Sequence, residues 1–141
     1  MAAAPTPATS TTGRVAFTAE AADLVRRLSA THGPVMFHQS GGCCDGSSPM
    51  CYPDGEFLVG SGDVRVDLLG FDGVDRPVPF WMSTSQFQYW QHTHLTVDVV
   101  PGRGGGFSLE SPEGVRFLLR SRLFADDEDA GLGPVVGGDE A

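Results

Sequence analysis

The chain has 141 residues, 40% hydrophobic and 19% charged, a balance that fits one globular domain and excludes a disordered chain. Its formal net charge is −9, it contains no lysine, and its nine arginines are scattered, which argues against nucleic acid and anionic membranes as partners. No apolar run approaches the roughly 18 residues of a transmembrane helix, and three cysteines, an odd number, do not suit a disulfide framework.

Residues 1–15, rich in Ala, Pro, Thr and Ser, read as a disordered leader. The N-terminus has no charged first region, and Pro5 and Pro7 interrupt any apolar stretch, so it is not a secretory signal. The expected compartment is the cytoplasm, where thiols stay reduced. The domain proper is expected over 16–124. Six acids and no base fall between Ala125 and Ala141, which reads as a disordered acidic tail.

Within the domain, Thr18 is a plausible N-cap, with Glu20 and Asp23 placing acids near the start of a helix. Ala21, Leu24, Val25 and Leu28 recur at helical spacing, and Gly33-Pro34 ends the element. Val35 to His38 reads as a short strand that runs into an irregular stretch, Gln39 to Pro53. Glu56–Val59 and Val64–Leu69 read as strands joined by a hairpin turn at Gly60-Ser61-Gly62-Asp63. Val78–Met82 is another strand, with Pro79 suggesting a sheet edge. Ser83-Thr84-Ser85 can cap a short helix through Trp90, His94–Val100 alternates as a strand, and Val115–Arg120 is the last strand. Nineteen glycines and ten prolines also favour turns over long helices. The fold class expected is α+β, an N-terminal helix packed on a mostly antiparallel sheet or sandwich.

The chemistry concentrates between His38 and Cys51. All three thiols, Cys43, Cys44 and Cys51, fall within nine residues, with His38 five residues before the first. Gly41, Gly42 and Gly46 free the backbone to fold tightly, so that the sulfurs can converge. Soft thiolates suit zinc, copper(I), iron or an iron–sulphur cluster. The spacing C-C-x6-C is no established metal ribbon, and the plain alternative is three buried small apolar side chains in a tight turn. His92 and His94 flank one threonine, and at positions i and i+2 of a strand both would share a face. They are the further candidate ligands. His32 fits better as a helix C-terminal residue, and the aromatic run from Phe80 to Trp90 as packing. Gly102 to Gly106 lacks the Lys-Ser/Thr of a phosphate loop and reads as a turn.

The stretch His32-Gly-Pro-Val-Met-Phe-His-Gln-Ser-Gly-Gly-Cys-Cys-Asp-Gly-Ser-Ser-Pro-Met-Cys-Tyr-Pro resembles an uncharacterised bacterial family, domain of unknown function 779. Pro79 to Trp90 and Val99 to Glu110 carry the same resemblance, which runs from about Ala16 to Phe124. It implies an association with aldehyde dehydrogenase, since such genes often adjoin members of the family. A weaker similarity, at fold level, is to A-type iron–sulphur carrier (HesB-like) proteins. Gly41-Gly42-Cys43 looks like their first cysteine motif, and Val97-Asp98, Gly106-Phe107 and Ser111-Pro112 look like their later strands. Those carriers supply two more cysteines near the C-terminus, whereas no cysteine follows Cys51 here.

The function expected is that of a small metal- or iron–sulphur-binding accessory protein of aldehyde or alcohol metabolism. Its ligands would come from Cys43, Cys44, Cys51, His38, His92 and His94. An aldehyde dehydrogenase is the expected partner, and self-association is left open. The alternative is a thiol-dependent redox or aldehyde-handling enzyme with Cys43 or Cys44 as nucleophile.

Overall fold

The computed structural model describes residues 8–39, 49–55, 59–102, 108–124, 132–133 and 135–137. The elements in chain order are β1 (Thr9–Ser10), β2 (Val15–Phe17), α1 (Ala19–His32), β3 (Val35–Gln39), β4 (Met50–Pro53), β5 (Asp63–Gly70), β6 (Val78–Ser83), α2 (Thr84–Trp90), β7 (Thr93–Pro101), β8 (Val115–Leu123) and β9 (Val136–Gly137). One sheet has the order β1-β5-β6-β3-β4, with β9 also on β5, and the second has the order β2-β7-β8. Pairing is antiparallel except for β2 with β7 and β3 with β6. The class is α+β, as composition and patterning indicate.

Helix α1 forms where its end signals place it. Thr18 Oγ1 accepts from Ala21 N at 3.2 Å and donates to Asp98 Oδ1 at 3.0 Å, tying the helix start to β7. At the other end Gly33 turns out of the helix at φ 84°, which a residue with a side chain adopts only with strain, and its N–H returns to Ser29 O. The buried face is Ala21, Ala22, Leu24, Val25 and Leu28. Helix α2 likewise starts at Ser83, whose side chain accepts from Gln86 N.

The two sheets meet across phenylalanines. The Phe37 ring packs on Phe17 of β2, Phe80 of β6 and Phe117 of β8, with centroids 5.3, 6.0 and 4.9 Å away. The contacts with Phe17 and Phe117 are edge-to-face, a favoured arrangement for aromatic pairs. All four rings are almost wholly buried.

Five features differ from expectation. Met50–Pro53, read as irregular, is a strand pairing antiparallel with β3, Phe37 opposite Cys51 and His38 opposite Met50. Strand β6 lies inside its sheet between β5 and β3, not at an edge. Pro79 is accommodated because pairing with β3 begins only at Phe80, so its missing N–H interrupts no bond on that side. In β5 the register slips between Arg65 and Asp67, a bulge that buries Val66 and Asp67 together. Strand β5 pairs with β6, β1 and β9, and of the strand expected over Glu56–Val59 as its hairpin partner, residues 56–58 lie outside the described residues.

The fourth and fifth concern the ends. Ser10 to Val15 of the expected leader wraps the buried Asp67 carboxylate. It accepts from the Ser10 hydroxyl and from the N–H groups of Thr11, Thr12 and Val15, each of these at 3.0 Å. From the expected acidic tail, Val136–Gly137 pairs with Val64 and Arg65, and Gly133 N donates to Thr12 O at 2.9 Å. Both end segments therefore lie on the same edge of β5 and satisfy backbone groups that an open edge would expose.

Candidate functional site

Strand β3 is buried along its whole length and carries a histidine at its fourth position, one residue from its end. Alternation sends Val35, Phe37 and Gln39 to the core face and Met36 and His38 to the opposite face. On that outer face the register sets Met50, His38, Trp81 and Arg65 in one row across β4, β3, β6 and β5. His38 is 2% exposed and Trp81 6%.

A buried imidazole needs a polar partner, and Asp63 supplies it. His38 Nε2 lies 2.9 Å from Asp63 Oδ1. The second carboxylate oxygen accepts from Gly60 N at 3.1 Å, and Asp63 N donates to Gly60 O at 3.0 Å. Gly62 O in turn accepts from Thr84 N and from the Thr84 hydroxyl, which fastens the turn to the start of α2. Asp63 is thus held at one oxygen by a braced turn and holds the His38 ring with the other. The carboxylate contact at Nε2 fixes the orientation of the ring on β3.

Cys51 stands on the other side of the β3–β4 pair, facing the core beside Phe37. Its N–H donates to Ser108 Oγ at 2.8 Å, and its carbonyl accepts from Leu109 N at 3.0 Å. The Ser108 hydroxyl donates to the Glu110 carboxylate, which is 1% exposed. Burial, and then the nearby Glu110 charge, push the Cys51 thiol well above its usual value. Burial also raises Glu110, against the hydrogen bonds it accepts from Ser108 and from backbone. A thiol so placed resists forming thiolate.

The remaining candidate ligands are placed as follows. His92 sits in the turn before β7 and is exposed, so the two histidines do not share a strand face as the spacing suggested. His94 lies on β7 opposite Arg122, half-buried, its ring edge-on to Phe124 with centroids 6.0 Å apart. Cys43 and Cys44 lie outside the described residues, as do Gly41, Gly42 and Gly46. Among the described residues no three His, Cys, Asp or Glu side chains are grouped to hold a metal ion. Of the site built here, His38 was legible as a polar residue inside an apolar run. Asp63, Ser108 and Glu110 were not, because their partners are 25 to 59 positions away in sequence.

The family described as Domain of unknown function (DUF779) matches residues 24–123. The chain belongs to this family. The DUF779 match runs from within α1 to the end of β8 and so includes both His38–Asp63 and the Cys51–Ser108–Glu110 cluster. No curated protein and no solved structure matches the chain. No helix among the described residues is long and apolar enough to cross a membrane.

Proposed function

We propose that this DUF779 protein is a small accessory protein that binds a soft metal ion or an iron–sulphur cluster, using thiolates of Cys43 and Cys44 and the imidazole of His38. The observation that carries the reading is the His38–Asp63 couple, at 2.9 Å, near the end of the strand that leads into the cysteine segment. A carboxylate on one ring nitrogen is the usual support of a metal-bound histidine, because it fixes the tautomer and raises the basicity of the other nitrogen. The described residues fit one imidazole corner of such a site and leave the thiolate corners to Cys43 and Cys44.

Cys51, on the opposite face and with its thiol kept protonated, is the least suited of the three cysteines. His92 and His94 remain candidates for a further ligand. The bound group would supply electron-pair acceptance or electron transfer, and a partner such as an aldehyde dehydrogenase in a reducing cytoplasm would use it. Similarity to A-type iron–sulphur carriers belongs to this same proposal.

The test is anaerobic reconstitution of the full chain with zinc, copper(I) or iron plus sulfide, read by native mass spectrometry and elemental analysis. One metal or cluster per chain is expected. Cys43→Ser, Cys44→Ser and His38→Ala should abolish it, Cys51→Ala should retain it, and Asp63→Asn should weaken it about 10- to 100-fold. Failure of the folded wild-type chain to take up any of the three sinks the proposal.

A second reading has a specific observation in its favour. A carboxylate orienting a buried histidine, as half-buried Asp63 does His38, is also how a general base is held beside a nucleophilic thiol. In that case Cys43 or Cys44 would be alkylated rapidly by iodoacetamide in the metal-free protein, and His38→Ala would slow the reaction.

A further inference from the structure

A cleft of about 270 Å³ opens between the C-terminal part of α1 and the connection from β5 to β6, away from the His38–Asp63 couple. Arg26, Ser29 and Pro34 line one side, and Val74, Asp75 and Arg76 line the other. The volume lies just under the usual range for ligand pockets, roughly 300–1,000 Å³, which limits an occupant to a small molecule. Two arginines, Arg26 and Arg76, line this space in a protein whose net charge is −9.

Neither guanidinium is fully used. Arg26 gives Nη2 to Asp23, one turn away on α1, while its Nη1 is buried without a hydrogen-bond partner. Nη1 itself is shut off from solvent, so the charge of Arg26 acts on an anion in the cleft through the rest of its guanidinium and not through that atom. Arg76 is exposed and makes no hydrogen bond or ion pair among the described residues. The Ser29 hydroxyl adds a neutral donor, and Ala30, Pro34 and Val74 give the cleft an apolar wall. Asp75 at the same cleft sets a limit of its own. Its carboxylate penalises a ligand with a second negative charge, so a monoanion is favoured over a phosphate dianion.

We propose that this cleft binds a small aliphatic monocarboxylate, its carboxylate between Arg26 and Arg76 and its short chain against Pro34 and Val74. A planar carboxylate matches the fork of donors on each guanidinium, and the apolar wall covers a short hydrocarbon that water solvates poorly.

The probe is butyrate, titrated calorimetrically into the full chain in chloride buffer at matched ionic strength, with inorganic phosphate in a parallel arm. Saturable butyrate binding is expected, tighter than that of phosphate at pH 8. It should weaken at least roughly tenfold in both Arg76→Gln and Arg26→Gln, each losing a charge-assisted contact. Arg76 is exposed, so its variant tests the cleft without disturbing the fold, and circular dichroism checks that both variants remain folded. The proposal is overturned if butyrate gives no saturable signal, if phosphate binds more tightly, or if folded Arg76→Gln binds butyrate as well as wild type.

Discussion

Single buried carboxylates decide much of this structure. Asp67 accepts from one hydroxyl and from the N–H groups of Thr11, Thr12, Val15 and Leu68. Replacing it with alanine would strand several buried donors, each costing about 1–3 kcal/mol. Asp67→Ala should therefore lose about 3 kcal/mol or more in urea unfolding, where an exposed acid such as Asp72 should change little. Glu110 and Asp98 act in opposite directions on acid stability. Burial raises Glu110, so the folded state binds its proton more tightly than the unfolded chain. Its contribution is fully present below about 4.5, the ordinary value, and is lost as pH rises through the raised folded value. Asp98 is opposed by burial, but bonds from Val99 N, Arg120 and Thr18 together with the Arg120 charge outweigh it and hold the carboxyl low. Its contribution is present above about 3.8 and is lost as pH falls through the lowered folded value. Glu110→Gln keeps an acceptor for Ser108 without the charge. Its stability relative to wild type should rise between pH 4 and pH 8, and parallel denaturation curves across that range would show a flat difference if Glu110 were not strained.

At the scale of elements, legibility followed locality. Helix α1 was readable because Thr18, the apolar spacing and Gly33 all lie within the helix or next to it, and α2 because Ser83 marks its start. Strand β4 was not, since Met50-Cys51-Tyr52-Pro53 is too short for a pattern and its partner residues on β3 are needed to see it. The bulge in β5 was hidden for a different reason. Regular alternation would turn Asp67 outward, and only the extra residue at Val66 swings it into the cluster of donors from Thr11 to Val15. The candidate site divides in the same way. A histidine inside Val35–Gln39 announces itself, but the aspartate that holds it looked like an ordinary turn residue.

For the whole molecule, the decisive contacts join segments far apart in the chain. Deleting residues 132–141 would remove β9 and the bond from Gly133 to Thr12, each lost hydrogen bond worth about 1 kcal/mol. The truncated chain should unfold at lower urea, and size-exclusion chromatography should show association through the uncovered edge of β5; a monomer of unchanged stability would refute the sealing role of β9. The same pairing has a consequence in time. On the ribosome Val64 and Arg65 emerge about seventy residues before Val136, several seconds at the usual 5–20 residues per second. Through that interval the nascent chain carries half an unshielded strand, while the segment from Thr9 to Thr12, already made, can guard the rest of it.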